Sequence, residues 1–296
     1  MNSAVAVAAH AKVNLFLRVL AREESGYHGL ETLFCLVSLA DRLRAERRDG
    51  QAITLEVTGA ECGPPAQNLA VRAAELVLAA TGRRFGVHLT LEKRIPVQGG
   101  LGGGSSDAAA ALLAVNALAA HAVPRHELLQ FAARLGSDVP FFIGGGPLAL
   151  AWGHGERMLR LPPLPSAPAL LLQPPVGVST PDAFRQVDVA RQGVGVRGAV
   201  ALDLEALQSW GSVGRLAGND FEFALFGRHP ELRQAFEALA GTHPLLCRMT
   251  GSGSTILAVY RTAREREDAR QQLPPRLGRC LSVETLAAPP APPEAA

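Results

Sequence analysis

Lysine is nearly absent from this chain of 296 residues. Of its 29 basic residues, only Lys12 and Lys93 are lysine, and the other 27 are arginine. Arginine presents a planar, permanently charged fork, whereas lysine offers a compact ammonium, so arginine does not replace lysine where a compact charge is needed. Each remaining lysine is therefore a candidate functional residue. The alternative is that two lysines remain by chance.

Cysteine is scarce as well, and the four cysteines are widely separated, at positions 35, 62, 247 and 280. No Cys-x-x-Cys pair occurs, which argues against a zinc site and against a disulfide framework. The eight histidines show no metal-ligand spacing. We therefore expect reduced thiols in a cytoplasmic protein, and no metal held by protein side chains alone.

A strong charge and a long apolar run are also missing. The net charge of +2 is too balanced for a dedicated nucleic-acid binder. No stretch approaches the roughly 20 apolar residues of a membrane span. Apolar residues make up 48% of the chain and charged residues 19%, which is typical of a globular protein. We expect a protein that binds neither nucleic acid nor membrane, and the sequence leaves its oligomeric state open.

The apolar pattern alternates between strand and helix periodicity. Residues 4–20 are typical of a strand that carries Lys12, and residues 87–96 of another. Helical spacing follows at 68–81, with Asn68 as the predicted N-cap, and again at 107–122 and 126–136. The sequence therefore predicts an α+β fold.

The proline-rich segment at 161–168 is the best candidate for a domain junction. It predicts an N-terminal domain at 1–160 and a C-terminal domain at 161–286. The last ten residues, 287–296, are almost entirely proline and alanine, and we expect them to be disordered because they offer little to pack.

A glycine-rich loop is the most informative segment of the chain. Between residues 99 and 106, five glycines and two serines connect the strand at 87–96 to a helix. Glycines let backbone N–H groups approach phosphate oxygens, and the first N–H groups of a helix are unpaired at the positive end of its dipole. A Walker A loop requires a lysine that is missing here, and Ser105 stands where the Rossmann pattern needs its third glycine. The loop indicates a phosphate site, and the alternative is a flexible turn with a serine cap.

Two segments resemble motifs of the GHMP small-molecule kinases: PVQGGLGGGSSDAAA, which begins at Pro96, and MTGSGSTI at 249–256. Further segments, AKVNLFLRVLAREESGYHGLETLF, LGSDVPFFIGGG and GHGERM, are similar to the branch that phosphorylates a hydroxyl of a cytidyl-diphosphate sugar alcohol. The alternatives are a GHMP kinase for another small alcohol, of the homoserine or mevalonate type, and a non-catalytic nucleotide- or RNA-binding protein.

The resemblance implies a two-domain architecture, with a ribosomal-protein-like N-terminal domain and an α/β-plait C-terminal domain. It implies Asp138 as the general base and Lys12 as its partner. Mg²⁺ would arrive with ATP. The residues expected to bind the small-molecule substrate are Asn14, Tyr27, His28, Thr180 and Phe184, with Tyr27 and Phe184 on either side of the cytosine. The residues expected to bind ATP are Asn68, Lys93, Pro96, Val97, Gln98, Gly99, Gly100, Leu101, Gly102, Gly103, Gly104, Ser105 and Ser106.

Local chemistry leaves alternatives at several of these residues. Asp138 follows a helix stop and precedes apolar residues, which suits a general base, but an aspartate there could also cap a turn. A buried lysine is costly unless it is paired, so Lys12 should contact a carboxylate unless it snorkels from an edge strand. Lys93 suits an ATP contact and a solvated strand end equally well. Asp107 should repel a polyphosphate unless it caps the helix or faces Mg²⁺.

Overall fold

The computed structural model describes residues 3–24, 26–191 and 203–296, and its larger sheet forms the N-terminal half. In this sheet the strand order is β11-β1-β2-β4-β3, with β5 paired to β2 and β6 paired to β5. Only the β3–β4 pair is parallel among the pairs described. The strands are β1 (Ala4–Arg22), β2 (His28–Arg48), β3 (Ile53–Gly59), β4 (Gly86–Lys93), β5 (Leu148–Gly153), β6 (Arg157–Arg160) and β11 (Glu294–Ala295).

Four helices cover this sheet: α1 (Leu69–Ala80), α2 (Gly103–Leu118), α3 (Arg125–Leu135) and α4 (Val139–Gly144). Helix α2 is buried on nearly all sides, and its run of four alanines at 108–111 is fully enclosed. Small side chains let this helix lie close to the sheet and to α1, so its N-terminal turn is held by the core. The glycine-rich loop is therefore attached to a rigid element.

The smaller sheet is antiparallel, in the order β10-β7-β9-β8. An apolar cluster joins it to the larger sheet, because Val13 and Leu15 of β1 belong to the same buried group as Leu171 and Leu257. The elements of this half are β7 (Pro168–Gln173), α5 (Thr180–Arg191), α6 (Trp210–Leu216), α7 (Asp220–Leu225), α8 (Pro230–Ala240), β8 (Leu246–Met249), β9 (Ile256–Val259), α9 (Ala263–Gln272) and β10 (Arg279–Glu284).

The predicted helix at 68–81 is present as α1, and the Asn68 side chain caps it by accepting the N–H of Ala70 at 2.9 Å. The strand predicted at 87–96 ends earlier, at Lys93. It stops there because the N–H groups of Arg94 and Ile95 donate to the Asp41 carboxylate and not to a neighbouring strand.

Helix α2 begins at Gly103, four residues before the predicted start at 107. Its N-cap is Gly102, which has a left-handed φ of 69° and no side chain to cap the helix. Ser105 and Ser106 therefore lie inside the first turn, and the alternative of a turn with a serine cap is wrong. The helix also ends four residues early, since Ala120 and His121 adopt positive φ angles.

The tail is not entirely without structure. Glu294 and Ala295 pair with β1 as strand β11, and the N–H of Ala296 donates to the carbonyl of Ala4 at 3.2 Å. The expectation that the tail forms no packed element is wrong for these residues, because an edge strand can pair with any backbone whatever its side chains. Segment 161–167 connects β6 to β7, and we propose residues 160 and 161 as the boundary between the two domains. Within the described ranges, no helix has both the length and the hydropathy to cross a bilayer.

Candidate active site

Lys12 and Asp138 lie together in the wall of a cavity. The Lys12 Nζ lies 3.5 Å from Asp138 Oδ2, and the lysine side chain is 5% exposed against 29% for the aspartate. The Lys12 Nζ also donates to Asn14 Oδ1 at 2.8 Å and lies 5.0 Å from the centre of the Phe34 ring. The expectation that Lys12 is buried and paired is confirmed, and a snorkelling lysine is excluded.

Irregularities in β1 explain how the lysine reaches this position. The register of β1 against β2 shifts between His10 and Lys12 and again between Asn14 and Phe16. Such bulges redirect side chains. The Lys12 N–H is thereby free to donate to the carbonyl of Leu101 in the glycine loop at 3.0 Å. The strand that carries the lysine is consequently bonded to the glycine-rich loop.

The Asp138 carboxylate stands at the N-terminal end of α4, but its side chain makes no capping hydrogen bond there. It lines the cavity together with Lys12, Gly102 and Ser137. The interpretation as a simple turn cap is therefore wrong, and the carboxylate oxygens face a space that a ligand can enter.

The glycine loop and the first turn of α2 line a second cavity of about 560 Å³. Asn68, Lys93, Asp107 and the loop residues 96–105 surround it, so the structure brings together all but one of the residues expected to bind ATP. The exception is Ser106, which is buried and does not line the cavity. Gly100 and Gly102 border this cavity and the one that holds Asp138, so the two spaces adjoin.

The two glycine motifs are in direct contact. Gly100 has a φ of +74°, and a Cβ atom there would lie 2.2 Å from the carbonyl oxygen of Thr250. Asn14 strengthens this junction, because its Oδ1 also accepts the N–H of Gly251 at 2.9 Å. The Asn14 Nδ2 donates to Thr32 Oγ1 at 2.7 Å, so the side-chain amide that we expected to bind substrate is bonded to the protein on both sides.

Lys93 lines the second cavity, but it is buried and is not a solvated strand end. Its Nζ contacts Asp41 and lies 2.7 Å from Asp107 Oδ2, and the lysine side chain is almost fully buried. Asp107 accordingly does not cap the helix, and it faces Lys93. Burial raises the pKa of Asp107 to about 7; the Lys93 ammonium opposes this rise and the Asp41 carboxylate adds to it. Lys93 keeps its proton, because the two carboxylates outweigh burial and raise its pKa.

The larger cavity, of about 820 Å³, collects the residues expected to bind substrate: Asn14, Tyr27, His28, Thr180 and Phe184. Tyr27 is exposed, with its ring 5.4 Å from that of His154. Phe184 stacks on His28, with ring centres 5.1 Å apart and planes 16° apart. Aromatic faces at the cavity wall are suited to stacking on a planar base.

Sequence reasoning missed two residues of the site. The His28 Nε2 lies 2.6 Å from Asp188 Oδ1, which orients the imidazole. Asp188 is four residues after Phe184 on α5, so helical spacing places both side chains on one face of the helix. This spacing is a sequence signal that could have identified Asp188.

Asn219 was also missed. It donates to the carbonyls of Met249 and Gly251 and so supports the second glycine motif. Asn219 also caps α7 by accepting the N–H of Phe221 at 2.9 Å, so its position before a helix marks it only as a cap. Its bonds to Met249 and Gly251 span 30 and 32 residues and have no local pattern.

Comparison with known proteins agrees with this geometry. Residues 68–146 match the model of the GHMP kinases N terminal domain, and residues 203–279 match that of the GHMP kinases C terminal domain. The fold and the site define the chain as a GHMP kinase, a phosphotransferase that acts on an alcohol group.

Individual relatives show to which branch of the GHMP kinases the chain belongs. A 4-diphosphocytidyl-2-C-methyl-D-erythritol kinase from Ralstonia nicotianae is 38% identical, over 93% of this chain and 92% of that protein. A crystal structure of 4-(cytidine 5'-diphospho)-2C-methyl-D-erythritol kinase superimposes with a TM-score of 0.79 at 37% identity, covering 95% of this chain and 98% of the other. A homoserine kinase from Cytophaga hutchinsonii shares the fold, with a TM-score of 0.74 at 21% identity over 99% and 98% of the two chains. The chain belongs to the 4-diphosphocytidyl-2-C-methyl-D-erythritol kinase family.

Proposed function

We propose that this protein transfers the γ-phosphoryl group of ATP to the 2-hydroxyl of 4-diphosphocytidyl-2-C-methyl-D-erythritol, in non-mevalonate isoprenoid precursor biosynthesis. The observation that carries the proposal is the position of Asp138 and Lys12. They lie where an aromatic-walled cavity adjoins a cavity that is lined by a glycine loop and a helix N-terminus. The first cavity suits a base and its diphosphate, and the second suits the phosphates of ATP.

Asp138 accepts the proton of the substrate hydroxyl in this proposal. The O–H bond breaks as the oxygen forms a bond to the γ-phosphorus, and the bond from that phosphorus to the β-phosphate oxygen breaks. ADP leaves with the electron pair. The Lys12 ammonium stabilises the negative charge on the carboxylate, on the attacking oxygen and on the transferred group. Its pairing with Asn14 Oδ1 and Asp138 holds it between these groups.

The N–H groups of the first turn of α2 bind the ATP phosphates, and Asn68 and the loop residues line the space for the rest of the nucleotide. Tyr27 and Phe184 enclose the cytosine, and His28 offers its Nδ1 to the base edge. Thr180, whose hydroxyl is 2.9 Å from that of Ser252, lies beside the diphosphate.

The described residues contain no cluster of three or more acidic, histidine or cysteine side chains that could hold a metal. Mg²⁺ bound to ATP would neutralise part of the charge of the nucleotide, and we place the reaction in the cytoplasm.

A substrate panel tests the proposal. The purified protein is incubated with MgATP and one acceptor at a time, and ADP is measured. We expect ADP formation with 4-diphosphocytidyl-2-C-methyl-D-erythritol and none with homoserine or mevalonate. Turnover of homoserine or mevalonate alone would assign the chain to another alcohol. Absence of ADP with every acceptor would favour a non-catalytic nucleotide binder.

The same assay tests the role of Asp138. We expect Asp138→Asn to lower kcat by at least about 10²-fold, because an amide cannot accept the hydroxyl proton. ATP binding should persist, since Asp138 does not line the nucleotide cavity. Asp182→Asn is the matched control, because Asp182 is an exposed carboxylate on α5 that does not line either cavity. Near-normal turnover of Asp138→Asn would contradict the assignment.

A further inference from the structure

Three charged side chains that the proposed reaction does not use are buried together beneath the phosphate loop. They are Asp41 of β2, Lys93 at the end of β4 and Asp107 of α2, with side-chain exposures of 0%, 3% and 4%. The Lys93 ammonium contacts both carboxylates. When all three are ionised, this buried triad carries a net charge of −1. An uncompensated buried charge is costly.

The hydrogen bonds show which carboxylate can take up a proton. Both oxygens of Asp41 are occupied, because Oδ1 accepts the N–H groups of Arg94 and Ile95 at 2.5 and 2.8 Å and Oδ2 accepts Lys93. Within the part of the chain that the structure describes, only Oδ2 of Asp107 accepts a hydrogen bond, from Lys93, whereas Oδ1 is buried with no partner. The Asp41 carboxylate accepts three hydrogen bonds, and the Asp107 carboxylate accepts one. A proton therefore goes to Asp107.

The triad lies next to the space where the ATP phosphates bind. Asp107 follows the first turn of α2, and both Lys93 and Asp107 line the nucleotide cavity. A Cβ atom on Gly103 would lie 3.3 Å from Lys93 Nζ, so the ammonium is directly beneath the helix N-terminus. A bound polyphosphate adds several negative charges near the Asp107 carboxylate, which accepts only one hydrogen bond among the described residues. Repulsion in a poorly solvated region favours the neutral acid.

Other groups around the triad do not cancel this effect. From β1, Lys12 packs against Gly102 on the other side of the loop and is paired with Asp138. Glu61 and the Cys62 thiol border the nucleotide cavity from the segment before α1. Burial, opposed by Lys93 and reinforced by Asp41, raises the pKa of Asp107 to about 7. Slightly above neutral pH the free protein thus holds Asp107 largely as the carboxylate.

We propose that Asp107 takes up a proton from solvent when ATP binds, so that the triad becomes neutral beneath the phosphates. The inference rests on the proposed ATP site. The Asp107 Oδ1–H bond forms, the proton comes from water or buffer, and no other bond changes. Nucleotide affinity is consequently linked to pH through a residue that does not touch the reacting atoms, and the triad no longer presents a net negative charge to the phosphate site.

Isothermal titration calorimetry of MgATP binding, without the acceptor alcohol, tests this proposal at pH 8. The titration is repeated in buffers with different ionisation enthalpies, and the slope of the observed enthalpy against buffer enthalpy counts the protons taken up. We expect an uptake of about half to one proton per ATP for the native protein, as linkage requires for one shifted group. Asp107→Asn should lower the uptake to near zero, whereas Glu61→Gln should keep it. Glu61 is an exposed acid on the same cavity.

The outcomes separate the two proposals. Protons carried by the nucleotide itself contribute equally in all three proteins, so they cancel in the differences. Binding of MgATP with no buffer dependence in the native protein, or with equal uptake in Asp107→Asn, overturns the inference and leaves the ATP site intact. Failure to bind MgATP at all overturns the ATP site and the inference with it. If Asp107→Asn does not fold, the pH dependence of ATP binding to the native protein tests the proposal by itself. The ATP affinity should then fall between pH 7 and pH 9, by at most about tenfold per pH unit. An affinity that stays constant over this range overturns the proposal.

Discussion

Lys12 combines burial, a positive charge and three different contacts within one side chain. Its Nζ contacts Asn14 and Asp138 and lies over the Phe34 ring. These contacts converge on a single nitrogen, which a compact ammonium allows. A guanidinium spreads its charge over a plane of three nitrogens and requires more space. The chain uses arginine at 27 other positions. At position 12, replacement of lysine by arginine would disturb these contacts.

We predict that Lys12→Arg lowers kcat by at least about tenfold, because the larger planar group cannot keep the same distances to Asp138 and to the transferred phosphoryl group. Steady-state kinetics with the cytidyl-diphosphate substrate measure the effect. Arg264→Lys, at a highly exposed position on α9, is the control for a cation exchange and should leave the rate unchanged. A fully active Lys12→Arg enzyme would show that any cation suffices.

At the scale of elements, the phosphate loop depends on its contact with the second glycine motif. Gly100 adopts a left-handed backbone, and its Cα faces the carbonyl of Thr250. Gly104, only four residues later, lies in the first turn of α2 with no atom within 4 Å of a Cβ placed there. The two glycines therefore serve different needs. Glycine is needed at position 100 because of the left-handed backbone conformation and the close contact with Thr250. At position 104 the absence of a side chain leaves the helix N-terminus open to a ligand.

We predict that Gly100→Ala lowers the free energy of unfolding by more than about 1–2 kcal/mol, since the left-handed conformation alone costs that amount and the Cβ would collide with a backbone oxygen. Gly104→Ala should leave stability unchanged or raise it by about 0.5–1 kcal/mol, because alanine favours the helix. Denaturant unfolding of both variants gives the comparison. Equal stabilities for the two variants would mean that the loop rearranges freely.

Across the whole molecule, the buried triad ties the sheet to the helix that carries the phosphate site. Asp41, Lys93 and Asp107 come from β2, β4 and α2, so they bridge three elements of the N-terminal half. Because burial raises the pKa of Asp107 to about 7, the folded protein retains a proton that the unfolded chain releases near its ordinary value. The stabilisation linked to this proton is greatest below the ordinary value, and it is lost as the pH rises toward 7.

We predict that the free energy of unfolding of the native protein decreases between about pH 4 and pH 7 more steeply than that of Asp107→Asn. The difference in slope should be at most about 1.4 kcal/mol per pH unit, the value for one proton. Denaturant unfolding at several pH values measures it, with Glu61→Gln as the control that keeps the native slope. Parallel curves for the native protein and Asp107→Asn would show that Asp107 keeps an ordinary pKa in the fold.

Much of the architecture follows from the sequence because it depends on local physics. Helix α1 with its Asn68 cap and the long strand β1 follow from apolar periodicity and a capping residue. The phosphate loop follows from glycine density between two marked elements, and the pairing of Lys12 follows from the cost of burying an isolated charge. The family resemblance implied Asp138 as the general base and Tyr27, His28 and Phe184 as substrate-binding residues, roles that local patterns do not assign.

Only the tertiary structure decided the features that join distant parts of the chain. The position of Lys93 between Asp41 and Asp107 depends on three elements that the sequence separates by up to 66 residues. The bond from Asn14 to Gly251 spans 237 residues, and the pairing of the tail with β1 joins the two ends. Such contacts arise from packing, for which a single sequence carries no local signal. The near absence of lysine drew attention to two residues, and the family resemblance paired one of them with Asp138. The fold places Lys12 beside Asp138 in the wall of a cavity and Lys93 in a buried triad.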